Sequence, residues 1–441
     1  MDTEIKKLIL EMQESILKTQ GVKRYCEESF YSAMRSKPVK IITGFRRSGK
    51  SFLVKQIALR LINEGVYKFE NILYLNFEHY RLGEINDAAD LDKILTLFQT
   101  EIADKSSKML LIFDEIQKVE RWDRFIRTVY EMKGENIEII LTGSNSELLS
   151  AEIGSNLAGR FIEFKLLPFS FKEFLEYSGI EIKNETAFLR RQDELLRLFN
   201  QFRTTGGLPE TFTISDEFAR FSYIQGIISK VIIDDVIQRF NIKSPDIIEK
   251  MLYYLNLNVG NIVSFSRLEN YIKRTGHSIN SNTVISYVGS ILKTFALFEV
   301  PKFDWKQGRI FETSKKYYSV DTGITNSFDH TVKNNSKLLE NIIFLELLRK
   351  QNTIYFASVR KDKEIDFIAK TRMEKGFTKY QVTEKLTDEN RKREISSFHT
   401  DDGNLSLYPN ILLVLDGEDE TFSTGDITVQ KKNILKWLLD L

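Results

Sequence analysis

Two short stretches hold side chains whose types and spacing suit work on a phosphoanhydride. Residues 44–51 read Gly44-Phe45-Arg46-Arg47-Ser48-Gly49-Lys50-Ser51 and fit the pattern G-x-x-x-x-G-K-[ST]. The glycines allow a turn that aims consecutive backbone N–H groups at phosphate oxygens. The helix that follows adds its positive N-terminal end. Lys50 is placed to reach the β- and γ-phosphates, and the Ser51 hydroxyl to ligate Mg²⁺. The expected ligands are therefore ATP and Mg²⁺, with residues 44–51 and the adjoining Phe52 as the nucleotide-binding set. The second stretch is MLLIFDE at 109–115, an apolar run closed by two acids. Asp114 would hold the metal through water beside Ser51, and Glu115 would act as general base on the attacking water. Each stretch alone also reads as an ordinary turn, one glycine-rich and one acidic. Together they favour the catalytic reading, and the second acid favours hydrolysis over transfer to another metabolite.

Further polar groups end two neighbouring apolar runs. ILTGSN at 140–145 puts Ser144 and Asn145 where a strand beside MLLIFDE would end near the γ-phosphate. A plain helix N-cap before SELLS is the alternative. Asn76 closes NILYLNF and would restrain Glu115 until a partner binds, or else simply end its strand.

These groups need a scaffold, and the apolar runs supply it. VKIITG, NILYLNF, MLLIFDE and IEIILTG alternate with amphipathic stretches between residues 39 and 150, and FIEFKLL follows at 161–167. Bare runs of Ile, Leu, Val and Phe suit strands buried on both faces. Their alternation with helices predicts an α/β fold built on a parallel sheet. Ile5, Leu8, Ile9, Met12 and Ile16 predict a helix within residues 2–20. After Pro168 the pattern turns helical, through SFKEFLEYSG, DELLRLFNQFRTTGG and a long stretch from Asp216 to Phe240. Residues 245–320 read as three helices and a β-hairpin around Gln307-Gly308. A second α/β unit follows: a helix over 337–350, the strands TIYFAS, KEIDFIAK and KYQVTEK, another helix and the strand ILLVL.

Composition narrows the classes. The 441 residues are enough for several domains. A net charge of +1 gives no bulk argument for nucleic acid or membrane binding, so any basic surface must be local. The single cysteine, Cys26, excludes an intrachain disulfide and a Cys-rich zinc site, and reads as a small buried hydrophobe rather than a nucleophile. His79, His277, His330 and His399 lack metal-ligand spacing. The N-terminus is too charged for a signal-peptide core, and no apolar run approaches the ~20 residues of a membrane span. No membrane partner and a cytoplasmic location are expected. The absence of an Asn-Lys-x-Asp base-reading motif argues against a GTPase.

GFRRSGKS, LLIFDEIQKVERW, LTGSNSELLS, LAGR, LPFSFKEFL and, at 206–210, GGLPE follow in an order that resembles the AAA-type P-loop ATPases of bacteria and archaea, the AAA_14 group that carries a DUF4143 region. The resemblance runs from Lys23 to Phe398. It implies a P-loop ATPase domain of the ASCE class over 1–168, a helical lid over 169–242, a winged helix over 243–330 and a domain similar to PD-D/E-X-K nucleases over 331–441. For Arg160, in LAGR, it implies a place at a neighbouring subunit's γ-phosphate, and so self-association with ATP bound. A surface or structural arginine is the alternative. Arg46 and Arg47 are further charges beside the phosphates. For Gly206, Gly207 and Pro209 it implies positioning of the lid over the base.

The last two regions are less decided. SINSNTVISYVGSILKTFALFEV reads as an N-capped helix with Val284, Tyr287, Val288, Ile291 and Leu292 on one face, and LENYIKRTGH precedes it. Lys302, Lys306, Arg309, Lys315 and Lys316, against Asp304 and Glu312, form a basic hairpin able to grip DNA phosphates. Ser281, Asn282 and Thr283 are few for base readout, and winged helices also bind proteins, so DNA binding and structural use stand level. In the C-terminal region Asp366, Gln381-Val382-Thr383 and one of Glu340 or Glu346 match the acid positions of the nuclease pattern by resemblance. Thr383 stands where a lysine is needed, and Lys379 lies two residues early on the same strand face. A domain that does not cut is expected. Arg393 and Glu394 match a further motif of the group or form a surface ion pair. The expected function is Mg²⁺-dependent ATP binding and hydrolysis by a switch or motor, with DNA as a partner through the winged helix. An ATP-regulated nuclease and a non-hydrolysing ATP-gated interaction protein are the alternatives.

Overall fold

The apolar runs form the strands that their pattern predicts. In the computed structural model, which describes residues 2–132, 136–145, 157, 159–304, 309–328, 335–360, 363–371, 376–399 and 408–441, the first sheet has five strands. They are β1 (Val39–Thr43), β2 (Ile72–Asn76), β3 (Met109–Asp114), β4 (Ile137–Gly143) and β5 (Phe161–Lys165). Their order is β2-β3-β4-β1-β5, and every neighbouring pair is parallel. β4 therefore stands between the strand that enters the glycine loop and the strand that ends in Asp114.

The described residues of this unit include the helices α1 (Asp2–Leu17), α2 (Glu27–Ala33), α3 (Lys50–Asn63), α4 (Ala88–Glu101) and α5 (Trp122–Met132). Leu91, Ile94, Leu95 and Phe98 show why α4 packs as it does: spacings of three and four residues put them on one stripe. That stripe joins the apolar faces of α1 and α3 and the strands in a single core. Asp87 caps α4 by accepting the backbone N–H groups of Ala89 and Asp90. Cys26, at the N-cap of α2, is buried. The sheet also holds a charged pair, with Lys40 fully buried and its Nζ 2.7 Å from Glu138. Burial pushes the Glu138 carboxyl up to about 7, because Lys40 offsets only part of the desolvation.

Contacts divide the chain into Met1–Leu166 and Leu167–Leu441. The second unit begins with the helices Phe171–Tyr177, Glu185–Arg190, Gln192–Thr205 and Glu217–Lys230, the last continuing as a π-helical stretch, Val231–Gln238. Helices Pro245–Leu257, Phe265–Arg274 and Ser281–Lys293 follow. The strands are β6 (Ile262–Val263), β7 (Leu297–Asp304), β8 (Arg309–Ser319), β9 (Asn352–Arg360), β10 (Lys363–Thr371), β11 (Thr378–Thr383), β12 (Asn410–Val414), β13 (Glu420–Thr424) and β14 (Ile427–Asn433). They form one sheet in the order β13-β14-β12-β11-β10-β9-β7-β8-β6, joined between β7 and β9 through the pair Lys302↔Phe356. The turn at Gln307-Gly308 lies outside the described residues. The sequence pattern did not place β13, since ETFST is largely exposed and carries no apolar signal. No helix among the described residues is long and apolar enough to cross a membrane.

The glycines of GGLPE have a packing task in this unit. Asp321, 1% exposed, accepts the backbone N–H groups of Gly207 at 2.5 Å, Gly323 at 2.8 Å and Ile324 at 3.3 Å. A Cβ on Gly206 would lie 1.9 Å from Asp321 Oδ1, and one on Gly207 2.3 Å from the Phe169 carbonyl oxygen. Gly206 also has φ of 78°, a region that side chains disfavour. Gly206→Ala should therefore cost about 3 kcal/mol in urea unfolding.

A second measurement tests the buried pair. Glu138 binds its proton more tightly folded than unfolded, with a folded value of about 7. Its contribution to stability is thus complete at acid pH and declines as pH rises through 7. Glu138→Gln should flatten that part of the pH dependence of urea unfolding; an unchanged slope would show that other groups set it.

Candidate active site

The glycine loop leaves β1 at Thr43 and enters α3 at Lys50. It turns through positive φ at Gly44 (153°), Arg47 (66°) and Gly49 (97°). A Cβ on Gly44 would fall 2.2 Å from the Leu166 carbonyl oxygen, so the loop can start there only as glycine. Arg24, 4% exposed, braces the loop by donating Nη1 to the Ser48 carbonyl oxygen at 2.9 Å. Ser48 Oγ is buried and has no hydrogen-bond partner among the described residues. Lys50 Nζ curls back to donate to the Gly44 and Phe45 carbonyl oxygens, each at 3.2 Å. It also lies 3.3 Å from Glu115 Oε1.

The two acids at the end of β3 are buried side by side. Asp114, 0% exposed, accepts the hydroxyls of Thr142 and Tyr74 (2.9 Å), and the Ser51 side chain is near enough to favour its charged form. Burial, and then the charge of Glu115, raise its carboxyl above the ordinary range. Glu115 leaves the strand in the left-handed region, with φ 58° and ψ 44°. For a residue with a side chain that conformation costs roughly 1–2 kcal/mol. Its own N–H donates to Thr142 Oγ1 at 3.0 Å, which holds the bend. The carboxylate accepts Gln117 Nε2 at 2.5 Å and the Ser144 N–H at 3.2 Å, both at Oε2. Burial alone would push Glu115 up, but Lys50, Gln117 and Arg46 outweigh it and hold the carboxyl below its ordinary value. The two adjacent acids are thus shifted in opposite directions, and Glu115 is the one held in its charged form.

The structure brings Lys50, Ser51, Asp114, Glu115 and Ser144 into one network. Asn145 is fully buried beyond the end of β4. The helix start at SELLS and Ala158 of LAGR lie outside the described residues. Asn76 does not hold Glu115; its Oδ1 accepts the Glu78 N–H at 2.8 Å. Arg46 pairs with Glu78 at 2.8 Å, Arg47 is exposed, Phe45 is a core residue and Phe52 is 36% exposed. Arg160 is not beside its own glycine loop. Its carbonyl oxygen accepts the Val39 N–H at 2.8 Å, and Nη2 lies 3.2 Å from Glu131. That places it at the start of β1, a strand's length of about 16 Å from the loop at the other end. Tyr74, Gln117, Thr142 and Arg24 were not among the residues picked out by pattern. Tyr74 and Thr142 sit inside strand runs, Gln117 inside DEIQ, and Arg24 lies well upstream of the glycine loop with no local signal.

The acids of the second unit meet a lysine from another strand. Lys316 of β8, 2% exposed, donates to Glu340 Oε1 at 3.1 Å and pairs with Glu364. Tyr318 donates its hydroxyl to the same Glu340 oxygen at 2.6 Å. Asp366 accepts the Val382 N–H at 2.9 Å, and burial, then Glu340, raise its carboxyl well above the ordinary range. Gln381 donates to Glu394 at 3.1 Å, Glu394 also pairs with Arg393, and Glu346 accepts from Arg349 at 3.1 Å. Lys379 is fully buried, which lowers it to about 8. Among the described residues no group of three or more His, Cys, Asp and Glu is arranged to hold a metal ion.

Comparison with known proteins agrees with the glycine loop. Residues 36–175 match the profile of AAA_14, an AAA domain. A protein of Methanocaldococcus jannaschii is 32% identical over 401 residues, 90% of this chain and 86% of its own. One of Haemophilus influenzae is 31% identical over 333 residues, 75% of this chain and 79% of its own. The chain belongs to the AAA_14 family. Both relatives are named only as uncharacterized proteins, so they lend the AAA domain no task. Residues 196–337 match a domain of unknown function, DUF8612, where the motif resemblance pointed to DUF4143. Among solved structures, Aeropyrum pernix ORC1 in complex with DNA covers 71% of this chain and 94% of its own at 12% identity, with a TM-score of 0.30. The Thermotoga maritima RuvB Holliday junction branch migration motor covers 64% and 90% at 15% identity, with a TM-score of 0.29. Scores this low carry no weight for the fold, which rests on the sheet order and the loop.

Thr142 touches both acids of the AAA domain, which makes it a direct test of the network. Thr142→Val leaves one carboxylate oxygen and one backbone N–H without their partner, at about 1–3 kcal/mol each. Urea unfolding should show a loss in that range, and a loss below about 0.5 kcal/mol would contradict the geometry.

Proposed function

We propose that this protein binds ATP with Mg²⁺ and hydrolyses it, with Glu115 as general base. The observation that carries the reading is the convergence of Lys50, Ser51, Asp114 and Glu115 in one buried hydrogen-bonded network at the mouth of a glycine loop. The backbone N–H groups of the loop, the start of α3 and Lys50 hold the phosphates. Ser51 and Asp114, whose side chains are neighbours, would hold Mg²⁺, which would neutralise charge on the phosphate oxygens. Ser48 Oγ, without a hydrogen-bond partner among the described residues, adds a polar group that can meet the ligand. Glu115 takes a proton from water as the water oxygen bonds to the γ-phosphorus. The bond from that phosphorus to the β,γ-bridging oxygen breaks, and ADP leaves with the oxygen. Ser144 and Asn145 lie where the γ-phosphate or the water is oriented.

Arg160 fits action on a neighbour's nucleotide rather than its own, and so supports assembly with ATP bound. The winged-helix reading of 243–330 draws on the helix Ser281–Lys293, capped by Asn280, and on β7 and β8. Its basic set is thinner than the sequence suggests, since Lys315 donates to Glu299 at 2.7 Å and Lys316 is buried. DNA therefore enters as a partner to be tested. The 331–441 region is read as a scaffold: the Lys316 ammonium fills the space between Glu340 and Glu364.

Phosphate release from ATP, wild type beside Glu115→Gln, with and without duplex DNA, tests this function. Turnover should fall about 100-fold or more in the variant while ATP binding persists. A rise with DNA would make the winged-helix region its sensor. Binding without turnover in the wild type would leave a nucleotide-gated scaffold and sink the hydrolase.

A further inference from the structure

We propose that Gln117 is the second group on the attacking water: its amide nitrogen fixes the Glu115 carboxylate, and its carbonyl oxygen accepts the O–H that Glu115 does not take. The inference rests on the hydrolysis reading above and names a further residue of the same site. Three donors meet the Glu115 carboxylate, namely Lys50, the Ser144 N–H and Gln117 Nε2. Lys50 is parked, since its other bonds run to the carbonyl oxygens of its own loop. Bound phosphates compete for that ammonium, and once it turns to them Gln117 and the Ser144 N–H are what remain to aim Glu115.

Gln117 is built for this. The left-handed bend at Glu115 and the short 3₁₀ turn Ile116–Lys118 swing its side chain back over the residue two before it. Nε2 reaches Glu115 at 2.5 Å and Ser144 Oγ at 3.4 Å, so the amide spans from β3 to β4. The opposite amide orientation would set two acceptors against each other, which fixes the nitrogen on Glu115. Oε1 is then left buried with no hydrogen-bond partner among the described residues. A buried oxygen without a donor costs about 1–3 kcal/mol and calls for a reason. An attacking water supplies one. It has two O–H bonds; Glu115 alone would leave it free to rotate, whereas a second acceptor fixes both and turns a lone pair to the phosphorus. The water proton still ends on Glu115, and Gln117 gains and loses none.

Gln117→Met, which keeps length and removes both polar atoms, and Gln117→Glu, which keeps an acceptor and loses the donor, separate the roles. Steady-state turnover, ATP affinity and thermal melting are measured on the full chain. Gln117→Met should lower kcat about 10- to 100-fold with KM, ATP affinity and melting temperature nearly unchanged. Gln117→Glu should not recover the rate, because it sets a second carboxylate against Glu115. A Gln117→Met kcat within about threefold of wild type overturns the proposal. So does a loss of kcat matched by an equal loss of ATP affinity or of melting temperature, which marks a structural prop. A wild type without turnover would instead sink the hydrolysis reading, and this one with it.

Discussion

Two carboxylates on consecutive residues, Asp114 and Glu115, are buried at the end of β3, and much of the first unit answers the cost of putting them there. An ionised acid removed from water costs several kcal/mol unless it is paired and hydrogen-bonded. Each acid is treated differently. Asp114 is given only hydroxyl donors, which do not outweigh burial and the neighbouring Glu115, so its proton affinity rises; Glu115 is given a cation, an amide and a backbone N–H, and its proton affinity falls. Thr142 joins the two treatments, donating to one acid and accepting from the backbone of the other. It can do so only because β4 lies against β3. The strand order is thus a condition of the site's electrostatics as well as of its geometry.

What the sequence made legible follows from this. The glycine loop and the Asp-Glu pair are contiguous, so their chemistry can be read without knowing the fold. The inner strands of the first sheet are largely apolar and buried on both faces, and that bare hydrophobicity marks them, while the edge strand β5 is only half-buried. Tyr74 and Thr142 were opaque because their roles depend on register: Tyr74 bonds Asp114 across two strands paired at Asn76↔Asp114. Gln117 was opaque because a left-handed residue reverses the direction in which a following side chain points. GGLPE was read as a lid motif, and the structure gives its glycines a packing reason in Asp321, 114 residues further on. No local pattern can show such a contact.

The second unit repeats the lesson with charge. Thr383 on β11 lacks the cation that the nuclease pattern calls for, and a reading confined to that strand ends there. The buried cation enters from β8 as Lys316, among Glu340 and Glu364, with Tyr318 on the same glutamate. A lysine held this way is bound to two elements at once, and so ties the β7–β8 hairpin to the strands and helix that follow it.

The solitary buried thiol has a practical side. Cys26 is shielded at the start of α2, and the chain offers no other sulfhydryl. A maleimide dye or a spin label at an engineered surface cysteine would therefore report from one address against a quiet background. Any rearrangement of the glycine loop around Lys50 when a nucleotide is added can then be followed spectroscopically without first rebuilding the protein.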